Sequence, residues 1–155
     1  LMAPLLARVT RSGAAAMLVA PPLVPYAPAL AAMGVKLDRL LVVQPGAADV
    51  LWAIEQAVGS TALALVLGWA PAGPTGALRL RRLALAAANA PSTVTLLVRA
   101  WPALYAASPA PLRLAVEPAR DADGGEGVAL RIVKRRGPPA DGVVGAVLDG
   151  GVVAD

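Results

Sequence analysis

Few side chains in this sequence could do chemistry. Among 155 residues there is no cysteine and no histidine, which removes thiol nucleophiles, imidazole bases, disulfides and the ordinary zinc ligand sets. Ser12, Ser60, Ser92 and Ser108 therefore have no evident base to activate them. Asp121, Asp123 and Glu126 are clustered acids, but they lie in a glycine-rich run with no fourth ligand nearby, which is turn chemistry rather than a metal site. The phosphate-binding pattern Gly-x-x-x-x-Gly-Lys-Ser/Thr does not occur. These residues point to no catalytic centre, no metal and no cofactor.

What remains is positive charge and tryptophan, both of which bind rather than react. Arg79, Arg81 and Arg82 fall within one apolar-periodic stretch, where helical spacing puts Arg79 and Arg82 on a shared face with Arg81 beside it. Such a row fits phosphates or an acidic partner, and it equally fits a solvated helix face. Arg131, Lys134, Arg135 and Arg136 form the densest basic cluster. Period-2 alternation sends Lys134 and Arg136 to one side of a strand and Arg135 to the other. This cluster reads either as a DNA or partner contact or as charge protecting an edge strand. Trp52 sits among Asp49, Glu55 and Gln56, the setting of an exposed interface anchor. Trp69 and Trp101 follow strand-like runs, at the end of an α/β sheet where ligands gather; packing within the loops is the simpler account.

The elements that would position these residues alternate along the chain. Helical signals cover Met2–Arg11, Pro25 to Gly34, Ala47–Val58 and Ala77–Asn89. Short apolar runs at Ala14–Ala20, Leu40–Val43, Thr61–Leu67 and Thr93–Val98 read as buried strands. Beyond Pro111 the period changes to 2. Leu112, Leu114 and Val116 alternate with Arg113, Ala115 and Glu117, and Val128, Leu130 and Ile132 alternate likewise. The intervening Asp121-Ala122-Asp123-Gly124-Gly125 predicts a hairpin. The expected fold is α/β, with three layers, a mainly parallel sheet and a C-terminal β-hairpin at one edge. Residues 1–137 form the expected core, and the Gly/Pro-rich 138–155 a weakly ordered tail.

Composition sets outer limits. The chain is 57% hydrophobic and 15% charged, with a net charge of +4, which permits nucleic acid as a partner without demanding it. Ser12–Val35 and Gln56–Leu78 are long enough without charge to raise the question of a membrane span. Pro21, Pro22, Pro25 and Pro28 interrupt the first, however, and Gly59, Gly68, Pro71, Gly73, Pro74 and Gly76 the second. Buried strands explain both better, so no membrane is expected. The first residue is Leu, so a missing N-terminal segment is also expected.

Several phrases, in order, resemble a known family. Leu23–Val35 (LVPYAPALAAMGV) leads into Leu37-Asp38-Arg39-Leu40-Leu41-Val42-Val43-Gln44-Pro45, followed by Ala47–Ser60 (AADVLWAIEQAVGS) and the strand Ala62–Leu67. These resemble successive segments of the RecA core, and Ile132–Pro138 (IVKRRGP) resembles its ending. The Ala-Pro-Pro, Leu-Trp-Ala and Leu-Arg-Arg-Leu phrases are similar to the ImuA family, the SulA-like translesion-associated proteins. That resemblance implies a RecA-like core and a non-catalytic role in SOS-induced, error-prone translesion DNA synthesis in the bacterial cytoplasm. The implied partners are an ImuB-type adaptor, an error-prone polymerase and DNA, with self-association as a further option. Two departures from RecA bear on catalysis. Ala20-Pro21-Pro22 stands where RecA has a catalytic acid, and Leu67-Gly68-Trp69 where it has a metal-site Asp, whereas phosphoryl transfer needs such groups placed around the phosphate. The alternatives left open are a SulA-like inhibitor of cell division and a truncated RecA-type, DNA-dependent ATPase.

Overall fold

A computed structural model describes residues 2–73, 75–120, 126–137 and 143–146. The chain divides into two compact units, residues 1–109 and 110–155. The first holds four parallel strands: β1 (Ala15–Val19), β2 (Leu40–Val43), β3 (Leu63–Trp69) and β4 (Val94–Val98), in the order β2-β1-β3-β4. Four helices alternate with them: α1 (Ala3–Arg11), α2 (Ala27–Ala32), α3 (Val50–Gly59) and α4 (Ala77–Ala88).

The three layers follow from how each strand divides its apolar side chains. Ala16 and Leu18 of β1 and Leu65 and Leu67 of β3 face α1, where they bury Leu6, Ala7 and Val35. Val19, Leu63 and Val66 face α3 and α4, packing with Val50, Leu51, Ile54, Val58 and Leu83. Leu63 and Leu65 would share a face in a regular strand. They part company because the β1–β3 register shifts between Ala15 and Ala16, one residue of irregularity that supplies apolar cover to both helix layers. Each fully buried Leu, Val or Ile contributes about 1.5–3 kcal/mol relative to exposure.

Polar groups fasten the ends of the elements. Thr10, buried on α1, donates from Oγ1 to the Leu6 carbonyl at 2.8 Å and accepts from the Lys36 N–H at 3.0 Å, tying α1 to the turn before β2. Thr93 Oγ1 donates to the Leu63 carbonyl at 2.7 Å and ties the start of β4 to that of β3. Gly34 ends α2 at φ +85, and the Gly34 and Val35 N–H groups return to the carbonyls of Ala31 and Leu30. A side chain disfavours that conformation.

The second unit is a three-stranded antiparallel sheet of β5 (Leu112–Arg120), β6 (Glu126–Arg135) and β7 (Val143–Ala146), in the order β5-β6-β7. The predicted hairpin is present as β5–β6. It shares no ladder with the parallel sheet among the described residues, so the expected extension of one edge gives way to a second sheet. Val143–Ala146 is a strand within the expected tail. It pairs along β6 at positions 128–131, a partner whose location no local pattern announces. The turn 121–125 lies outside the described residues.

No described helix is long and apolar enough to cross a membrane. The two uncharged runs are cut into separate strands, loops and short helices, as their prolines and glycines dictate.

Candidate interaction surfaces

Ligands of open parallel sheets bind beyond the carboxyl ends of the strands, where successive connections leave for opposite faces. Here that point lies between β1 and β3. β1 leads to α2, whose Leu30 packs on the α1 side, whereas β3 leads to α4 on the other side. The segments leaving the strands are Ala20-Pro21-Pro22, Gln44-Pro45-Gly46, Ala70-Pro71-Ala72-Gly73 and Arg99-Ala100, with no acid among them. Ala20 has φ +53, which costs an alanine about 1–2 kcal/mol. Its N–H reaches the Val43 carbonyl at 2.8 Å, and Gln44 Nε2 donates to the Pro21 carbonyl at 3.2 Å. These two bonds tie the segment after β1 to the segment after β2.

Gly68 decides what β3 can present there. A Cβ on Gly68 would run into Cδ1 and Cγ1 of Ile54, itself fully buried on α3. The space for any side chain at this position is already filled.

An open groove of about 460 Å³ lies between the start of α3 and the loop entering α4. Its walls include Leu51, Pro71, Thr75, Leu78 and Arg79. Arg79 spans α4 to α3 by donating to the Ala48 carbonyl at 3.0 Å, and Arg82 pairs with Glu55 of α3 at 2.9 Å. Of the three helical arginines, two therefore brace α4 against α3. Arg81 is exposed and makes no side-chain hydrogen bond or ion pair among the described residues. Trp52, on the solvent side of α3, is 59% exposed, as its polar neighbours predicted.

Sequence reasoning missed two exposed leucines on α4. Leu78 and Leu85 of α4 are 75% and 65% exposed, while Leu80 and Leu83 are buried. The signal was present, because leucines at both 80/83 and 78/85 cannot all face one core. The outer surface of the α3/α4 layer therefore combines an indole, two leucines and an unpaired guanidinium. Trp69 behaves differently: it is half-buried and packs against the cluster under α1. Trp101 begins a short 3₁₀ turn, Trp101–Tyr105, and is half-exposed.

The strand cluster belongs to the second unit. The β5–β6 register shifts between Arg113 and Leu114, pairing Arg113 with Lys134 but Leu114 with Ile132. Passing over Val133 puts Arg131 and Lys134 on one face with Arg113, where strict alternation from sequence would separate them. Arg131 pairs with Glu117 at 2.9 Å on that face. Arg135 lies opposite Leu112 on the other face, and Arg136 follows the strand, with its N–H on the Pro111 carbonyl at 3.1 Å. The helical and strand arginines thus form two sets in separate units. Among the described residues there is no group of acids able to hold a metal ion.

This architecture has a counterpart among solved structures. The chain has a SulA-like fold. It matches the crystal structure of SulA from Pseudomonas aeruginosa with a TM-score of 0.52 and 20% identity, over 64% of this chain and 84% of that one. Similarity at that identity establishes architecture, and function must rest on the surfaces. No protein-family model and no curated protein matches the chain.

Proposed function

We propose that this protein is a non-catalytic accessory factor of SOS-induced, error-prone translesion DNA synthesis in the bacterial cytoplasm, as in the ImuA family. It binds an ImuB-type adaptor and, through it, an error-prone polymerase. The observation that carries the reading is the α3/α4 surface. Trp52, Leu78 and Leu85 are exposed on the two helices that the Arg82–Glu55 bridge joins, an aromatic anchor and apolar rim of the kind that dominates protein interfaces. The ordered ImuA-like phrases, including the Leu-Trp-Ala segment that carries Trp52, supply the identity of the partner. The absence of acids from the segments at the carboxyl end of the sheet and the packing of Ile54 over Gly68 support binding rather than phosphoryl transfer. They weigh against a truncated ATPase.

Co-purification with an ImuB-type adaptor tests this. Trp52→Ala and Leu78→Asp should each weaken the complex at least tenfold, a hot-spot effect, while leaving the fold intact because both side chains are exposed. Arg135→Ala/Arg136→Ala, in the other unit, should retain adaptor binding and instead lower any affinity for single-stranded DNA. A folded protein that forms no complex with the adaptor at micromolar concentration would sink the proposal.

A second reading is favoured by the fold match, which covers most of the SulA chain. On that reading the protein inhibits cell division by binding the tubulin-like division protein. Direct binding to that polymer, with none to the adaptor, would select it.

A further inference from the structure

We infer that the basic face formed by the end of α1 and the turn between α2 and β2 is a docking site for an acidic, amphipathic protein segment. It does not depend on the translesion reading, because α1 packs on the opposite side of the parallel sheet from α3 and α4.

Charge is divided unevenly between the two helix layers of the 1–109 unit. Up to Pro45 the chain carries Arg8, Arg11, Lys36 and Arg39 against a single acid, Asp38, whereas Ala47–Asn89 sets Arg79, Arg81 and Arg82 against Asp49 and Glu55. Two contacts bring the first set together. The Arg11 guanidinium lies over the end of α2, where a Cβ on Gly34 would come within 3.1 Å of its Nη2. The Lys36 N–H donates to Thr10 Oγ1 at 3.0 Å, so residue 36 abuts the last turn of α1. Arg8 precedes Arg11 by three residues and is its neighbour on the helix surface. All four cations are exposed. Arg39 meets Asp38 at 3.6 Å, and Arg11 donates from Nε to the Ala7 carbonyl at 3.2 Å. The side chains of Arg8 and Lys36 have no hydrogen-bond or ion-pair partner among the described residues.

A helix C-terminus attracts cations by itself, and Arg11, on the Ala7 carbonyl, meets that need. Arg8 makes no such bond, and Lys36 and Arg39 lie beyond the helix. The residues among these cations select the ligand. Met33 and Leu37 are 56% and 41% exposed, and they bracket the turn that Arg11 covers and Thr10 holds. A phosphate backbone would engage the cations and leave both apolar side chains uncovered. Single-stranded nucleic acid is also held by aromatic platforms, and no aromatic residue occurs in α1 or in 33–39. Protein interfaces, by contrast, are enriched in Met and Arg. A segment that sets carboxylates beside apolar side chains matches both features. Its carboxylates accept charge-assisted bonds from Arg8, Arg11 and Lys36, while its apolar groups cover Met33 and Leu37.

Selection of a random peptide display library on the full chain tests this. The enriched peptides should combine several Asp or Glu residues with Leu, Ile or Phe. The most enriched one, labelled and followed by fluorescence anisotropy, should bind Arg8→Glu/Lys36→Glu at least about tenfold more weakly, because like charges then face each other. Both side chains are exposed and unpaired, so the fold is not at risk, and circular dichroism should be unchanged. Met33→Ser should weaken the same peptide about tenfold at low and high salt alike, through lost apolar burial, whereas the charge effect should shrink as salt rises. Trp52→Ala should bind the peptide as the unaltered chain does, which separates this surface from the one proposed for the adaptor. Enriched peptides without an excess of acid, or an acidic peptide indifferent to Arg8→Glu/Lys36→Glu, overturns the inference. So does the converse pattern, in which a thymidine oligonucleotide or phosphatidylglycerol vesicles bind through Arg8 and Lys36 and no acidic peptide does, since the surface is then a phosphate site.

Discussion

Replacing Gly68 with alanine adds one methyl group at the most closely packed point under α3. That methyl has nowhere to go: its nearest neighbours would be Cδ1 and Cγ1 of Ile54, the latter at 2.7 Å. Ile54 is fully buried among Val19, Val58 and Val66 and has no open space to turn into. Overpacking of this kind costs about 1–3 kcal/mol. Removing the obstruction instead, by Ile54→Ala, costs about 2–5 kcal/mol through lost burial and the cavity left behind. In the double variant the new methyl enters part of that cavity, so Gly68→Ala there should be neutral within about 0.5 kcal/mol or slightly stabilising, since glycine is a poor interior strand residue. The expected coupling is therefore about 1–3 kcal/mol in favour of the double variant. Urea unfolding followed by tryptophan fluorescence measures it, and Trp52, Trp69 and Trp101 all lie in the 1–109 unit. Additive effects would refute the claim that Ile54 occupies the side-chain space of residue 68. The consequence is functional. If the coupling holds, a carboxylate introduced at 68 destabilises the sheet instead of creating a metal ligand.

Three further substitutions test how the rest of this unit is held. Thr93→Val removes the 2.7 Å bond to the Leu63 carbonyl and should lower stability by about 1–3 kcal/mol, measured by the same unfolding. Thr95→Val should be neutral or stabilising, because Thr95 Oγ1 is buried with no hydrogen-bond partner and a methyl of similar shape removes its desolvation cost. Arg82→Ala breaks an exposed bridge to Glu55 and should cost at most about 1 kcal/mol, less at high salt.

Much of this protein was legible in its sequence, and the reason is physical: local signals set local structure. Prolines and glycines cut two long apolar runs into strands and loops, and the periods of 3.6 and 2 separate helices from the β5–β6 hairpin. Leu40–Val43 coincides with β2, and Ala77–Asn89 differs from α4 by one residue at its C-terminal end. The exposure of Trp52 followed from its polar neighbours. Long-range pairing had no such signal. Only tertiary structure set the order β2-β1-β3-β4, gave the hairpin a sheet of its own and placed Val143–Ala146 against β6. The irregularity at Val133 likewise decided that Arg131 and Lys134 share a face, because one skipped residue inverts every later position of a period-2 pattern. Gly68 shows the division most plainly. Its sequence position says that a carboxylate is absent. The contact with Ile54, 14 residues away in the chain, says that there is no room for one.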